Sequence, residues 1–289
     1  MASLALEFDT KSTISIESHL ERLAIEANVL SNLLDTFRNI IPSLTSKIKD
    51  TASLITDVVF EDKLGKDVKE CKHIHSKLLP KFKHVSYANY DKLLIATPEG
   101  FKGKFLDYVE LLNKLLPDVY SSANNILAEY NFILSSFISN KDEKTAIKDH
   151  RLFFNKVSEK QKEYIKSMNE FFPEGNDKTR SYLGNVVDRF ADLDDIVNAL
   201  VKLDRQHNKQ NIKDIINSTN NCITLLDIII NNVETKGIDK VSGNAAMNIA
   251  EGAYAVAKYV EFISVFRFRT EQAITSIKNT FEIVDAAIK

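Results

Sequence analysis

Tryptophan is absent from this chain of 289 residues, and glycine (8), proline (5) and cysteine (2) are scarce. Turns and sheet corners draw on glycine and proline, so few of either are expected. What remains is helices joined by short connections. Scarce glycine also leaves little to build a phosphate cradle, and G-x-x-x-x-G-K-S/T, G-x-G-x-x-G and G-x-S-x-G are all missing. Cys71 and Cys222 stand far apart, giving neither a disulfide framework nor paired metal-ligand spacing. A reducing compartment is the simpler expectation. An excess of one charge is lacking too: 38 basic and 40 acidic residues leave a net charge of −2, which argues against a global field for nucleic acid. The most apolar run, Cys222 to Ile230, is interrupted by Asp227 and is too short to span a bilayer. The opening MASLALEFDTKST has no basic region and no apolar stretch, so no secretory signal is expected. Localisation is read as cytoplasm or virion.

Heptad spacing is what the sequence has in abundance. Ile16, Leu20, Leu23, Ala27, Leu30, Leu34, Phe37, Ile41, Leu44, Ile48, Thr51, Ile55 and Val58 alternate four and three residues apart. That alternation averages 3.5 residues and keeps one stripe on one side of a helix. The register passes Pro42 unchanged, which predicts one long helix kinked there. Thr97-Pro98-Glu99 reads as a helix start, a capping hydroxyl before a proline. Phe105, Val109, Leu112, Leu116, Val119, Ala123, Ile126, Tyr130, Ile133 and Phe137 then run straight past Pro117. Shorter stripes follow over 154–171, 183–200 and 212–233, and a last one from Ile249 to Ile288, opened by Gly243. Residues 63–97 form a less regular basic segment: 66–79 reads as a helix ending at Pro80, and 84–97 as irregular, with VSYANY (85–90) compatible with a short strand.

The fold class predicted is all-α: one elongated antiparallel bundle over 1–289. The first and last helices have matched lengths; antiparallel pairing would set Ile16 opposite Ile288, while parallel pairing or an intervening helix also fits the stripes. The antiparallel register sets Arg267 opposite Phe37 and within a turn of Asp35.

Candidate sites are few. Glu70-x-x-His73 puts two potential ligands on one helix face, as di-iron bundles require. The nearest second copy is Asp204-x-x-His207, and no further carboxylate pair completes it. In Cys71-x-His73-x-His75 only Cys71 and His75 share a face, and a four-ligand zinc site needs two more groups. His84 is one candidate. No cofactor, metal or catalytic residue is assigned. Interaction candidates are the small-residue stripe Ala246, Ala250, Ala253 and Ala257, which lets backbones approach closely. Arg267 and Arg269 join them, since Arg267 occupies a core position where a charge needs a partner. So do Lys66, Lys69, Lys72, Lys77, Lys81 and Lys83. Residues 63–105 carry ten lysines against four acids, which suits an anionic partner or a solvated face.

Long helices without catalytic motifs suit a non-enzymatic structural or assembly protein that forms a homo-oligomer or joins a larger one. Lysine outnumbers arginine 30 to 8, and Ile (29) and Asn (24) are abundant, a coding bias that narrows the expectation to a bacteriophage virion component. The alternatives are a pore-forming-type bundle and a metal-dependent helical-bundle enzyme. For a compact chain of this length the radius of gyration is roughly 19 Å. Small-angle scattering should give a clearly larger value; one near the compact figure overturns the elongated reading.

Overall fold

The computed structural model describes residues 39–60, 63–80, 91–139, 151–171, 178–206, 209–236 and 243–287. Helix accounts for 86% of them, which places the chain in the all-α class with two short strands as the exception. In chain order the elements are α1 (Ile41–Phe60), α2 (Lys63–Leu78), β1 (Leu94–Pro98), α3 (Phe105–Ile138), α4 (Arg151–Asn169) and β2 (Lys178–Tyr182). They continue with α5 (Leu183–Val186), α6 (Asp192–Gln206), α7 (Lys209–Lys236) and α8 (Gly243–Ala287).

The stripes form because an apolar row every three or four residues can leave water only against a neighbouring helix. Ile41, Leu44 and Ile48 of α1 are buried, as are Phe105, Val109, Leu112, Leu116, Val119, Ala123, Ile126, Tyr130 and Ile133 of α3. α3 continues without interruption through Pro117, which is exposed. Pro42 is the second residue of α1, directly after a π-helical turn at Asn39 and Ile40. The chain before Asn39 lies outside the described residues, and with it the first part of the expected long helix.

Three expectations are corrected. Thr97-Pro98 does not open a helix: both residues close β1, which pairs antiparallel with β2, Leu94 opposite Tyr182 and Pro98 opposite Lys178. A turn with positive φ at Gly100 (70°) and Gly103 (86°) follows, and the helix begins only at Phe105. The segment 63–97 is therefore regular at both ends; VSYANY itself lies outside the described residues. Second, the stripe over 183–200 is not one helix. α5 stops after a single turn, Val187 is extended, and Asp192 starts α6 by accepting the Arg189 backbone N–H through Oδ2 at 2.8 Å. A carboxylate at a helix start outcompetes continuation of the earlier turn.

Third, α1 and α8 run parallel, not antiparallel. Ile40 packs on Ala250, and Lys47 forms an ion pair with Glu261 at 3.3 Å, so contacts advance together along both helices. A stripe fixes which side of a helix is covered and is silent on the direction of what covers it.

The described chain divides into two compact units. The first gathers residues from 1–56, 121–161 and 213–263, the second from 57–120, 162–212 and 264–289. In the first, Gln161 Nε2 donates to Lys258 O at 3.1 Å, and Tyr130 donates its hydroxyl to Ile249 O at 2.9 Å. Gly252 makes this packing possible: a methyl group there would clash with the edge of the Tyr130 ring, 2.5 Å from Cε2, and stand 3.1 Å from Phe154 Cζ. In the second unit Phe101, Phe105, Tyr108 and Phe171 form an aromatic group with ring centroids 5.2–6.2 Å apart. Lys104 fastens α3 to the β2–α5 corner through Gly184 O (3.0 Å) and Asp188 (2.7 Å).

Gly252→Ala tests the close approach. Alanine improves helix propensity by about 0.5–1 kcal/mol, yet overpacking a core costs about 1–3 kcal/mol. A net loss of about 1–2 kcal/mol in denaturant unfolding is expected. A raised midpoint would show that the ring yields freely.

Candidate functional site

The chemically capable residues of α2 are drawn into packing. In the second unit α2 lies along α8: Thr275 donates its hydroxyl to Asp67 Oδ2 at 3.0 Å, and Lys278 lies 3.6 Å from Asp67 and 3.4 Å from Glu70. Lys278 is opposed by burial but held above its ordinary pKa by Asp67, Glu70 and Glu282. Cys71 is fully buried; desolvation, with Asp67 adding to it, pushes its thiol up to about 12. His75 sits edge-on to Phe281, ring centroids 6.1 Å apart, with Nε2 3.5 Å from Asp194 of α6. Burial lowers its pKa although Asp194 pulls the other way. His73 points to solvent. The Cys71, His73 and His75 string is thus divided between core and surface, and Glu70 is engaged by Lys278. Among the described residues no three His, Cys, Asp or Glu side chains are grouped as metal ligands. His84 and His207 lie outside them.

A thiol held near 12 is not a nucleophile at neutral pH. Cys222 of the first unit is likewise buried and pushed up to about 12. Tyr130, wholly buried, titrates far above its ordinary value.

Of the surface candidates, Lys66, Lys69, Lys72 and Lys77 occupy the exposed side of α2 together with His73; Lys81 and Lys83 lie outside the described residues. The small-residue stripe allows either a tight helix contact within the bundle or a subunit interface, and the structure shows the first: Ala246, Ala250, Ala253 and Ala257 are all buried within the chain. Arg267 is buried, its Nε 3.4 Å from Glu271 one turn further along α8. The carboxylate the sequence asks for is thus on the same helix; Asp35 and Phe37 lie outside the described residues. Arg269 donates from Nη1 to Asn169 Oδ1 at 2.6 Å.

A feature that apolar periodicity passes over is the outward side of the first unit. On α3 and the residue after it, Ser121, Asn125, Ala128, Phe132, Ser135 and Ser139 are exposed, and on α7 so are Asn217, Asn221, Thr224, Ile228, Asn231 and Thr235. Both rows alternate four and three. Between Ser121 and Ser139 the sole charge is Glu129, and between Ile215 and Val233 it is Asp227. The rows meet where Asn221 Nδ2 donates to Asn131 Oδ1 at 2.9 Å, beside Phe132, and Asn131 Nδ2 reaches Ser218 O at 3.3 Å. Asp227 is held at the edge by Lys49 at 3.0 Å.

No family model, curated protein or solved structure matches the chain. Among the described residues no helix is long and apolar enough to cross a membrane.

His75 makes folding sensitive to acid. Its folded pKa lies below the unfolded value of about 6.5. Its contribution is therefore complete above that value and is lost as pH falls through the folded pKa. The denaturant midpoint should fall between about pH 7 and about pH 5 more steeply for the wild type than for His75→Gln. Parallel curves would remove His75 from the account.

Proposed function

We propose that this chain is a non-enzymatic structural or assembly protein that acts through its helical surfaces. The observation that carries this reading is where reactive groups are placed. Cys71, Cys222 and Tyr130 are buried with their pKa values pushed up, away from their reactive anions at neutral pH, and His75 is buried between Phe281 and Asp194. Among the surfaces the described residues offer are a lysine row on α2 and a charge-poor double row on α3 and α7. Such surfaces bind; they do not transfer protons or groups. The finer parts of the proposal are an elongated bundle with coiled-coil-like packing, self-association, and an anionic partner for the α2 lysines. The narrower role of virion component is supported by the Lys-, Ile- and Asn-rich composition.

Native mass measurement with metal analysis tests the reading on the full chain. A homo-oligomer without stoichiometric metal is expected. A monomer carrying stoichiometric iron or zinc, or a chain that releases dye from liposomes, would overturn it.

A further inference from the structure

Apart from the Asn221–Asn131 hydrogen bond and local bonds within α7, the charge-poor double row of the first unit stands exposed, unlike the charged outward residues that precede it on both helices. Charged residues make up 27% of the chain, yet residues 121–139 and 215–233 carry one each. α3 supplies its own control. The same outward row earlier in that helix presents Asp107, Glu110, Lys114 and Asp118 to solvent, and charge stops at Ser121. On α7 the exposed Lys213 and Asp214 give way in the same manner to Asn217, Asn220 and Asn221. Within the uncharged stretch stand two large apolar side chains left in water, Phe132 (51% exposed) and Ile228 (40%). Loss of charge around exposed apolar anchors is the compositional mark of an interface core.

We infer that this face is the contact by which the chain pairs with a second copy of itself. This rests on the assembly reading above and names its surface. Three properties favour a second copy over an unrelated partner. Side-chain amides both donate and accept, so a row of asparagines satisfies itself when it meets its own likeness. Thr224 and Thr235 give their hydroxyl protons to Asn220 O and Asn231 O, so they turn methyl groups and acceptor lone pairs outward, where asparagine donors can reach them. A 4-3 row meets an identical row in register, and asparagine at such positions selects that register over its neighbours. A face with only Glu129 and the Lys49-paired Asp227 also meets its own copy with little like-charge repulsion, whereas the lysine row of α2 cannot.

The area is sufficient. Nineteen helical residues span about 28 Å, and two helices about 10 Å apart give a face roughly 20 Å wide. Each copy would bury about 560 Å², or about 1,100 Å² in total, close to the lower limit for a specific contact. A reversible, isologous pair is what such an area supports.

The test is sedimentation velocity of the full chain over a concentration series, for the wild type, Phe132→Lys, Ile228→Lys and Thr224→Glu. All three positions are exposed, so circular dichroism and the thermal midpoint should be unchanged. The wild type should associate reversibly, and about as strongly at about 0.5 M as at about 0.05 M salt, because the face carries only Glu129 and the Lys49-paired Asp227 for salt to screen. Each variant should weaken association at least about tenfold, since a charge is then desolvated against the facing copy. Wild-type association that all three variants leave intact, or that salt abolishes, would overturn this face and leave the assembly reading standing. A wild type that stays monomeric throughout would overturn both.

Discussion

A helix covered around most of its girth must find a partner for each polar group on its covered sides, and α8 is such a helix. From Ala245 to Val284 only Phe268 and Glu282 are exposed among the residues whose side chains are described. An unpaired charge in that setting costs several kcal/mol, and the rest of the packing follows from avoiding it. Glu261 is met by Lys47 of α1, Arg267 by Glu271, and Lys278 by Asp67 and Glu70 of α2. Thr270 and Thr280 turn their hydroxyls back onto the carbonyls of Phe266 and Ser276. These pairings fix the direction of the neighbours as well as their identity. Contacts advance in step with α8 in each unit, 40–250 then 47–261 in one and 67–275 then 75–281 in the other, so both neighbours run with α8.

Side-chain size sets the distances. Where α8 is lined with Ala246, Ala250, Gly252, Ala253 and Ala257, Tyr130 lies directly against its backbone and reaches Ile249 O. Where α8 carries Arg267 and Arg269 instead, the neighbours must accommodate guanidinium groups, and Asn169 of α4 accepts one of them. The burial that makes Arg269 useful as a tie also lowers its pKa, with Tyr108 opposing.

The core was legible because apolar residues at 4-3 spacing have one physical use. Ile41, Leu44 and Ile48, the α3 row, and Ile249, Ala253, Val256, Val260 and Ile263 are all buried as that spacing requires. The same argument says nothing of what a stripe packs against, so the parallel course of α1 and α8 was hidden. It also treats α8 as one-sided, although Tyr259, Phe262 and Phe266 between the stripe positions bury the other side. Local signals misled where tertiary pairing prevailed: Thr97-Pro98 would cap a helix, but the backbone of 94–98 is taken by β2. The string Cys71, His73 and His75 suggested ligands only because sequence cannot show that alternate residues divide between core and solvent.

The uncharged double row was equally legible as a periodicity, but in the residues that apolar counting discards. Its composition is costly for a solvated helix. Asparagine and threonine are poorer helix formers than lysine or glutamate by a few tenths of a kcal/mol each, because their short polar chains compete for the backbone or lose rotamer freedom. Six such residues on the outward side of α7 sacrifice about 2 kcal/mol against a lysine–glutamate surface, a large share of a total stability of about 5–15 kcal/mol. Solvent alone would favour the charged alternative, which α3 adopts at Asp107, Glu110 and Lys114. A surface that forgoes both solubility and helix propensity, over two neighbouring helices and in one spacing, is shaped by something that lies against it.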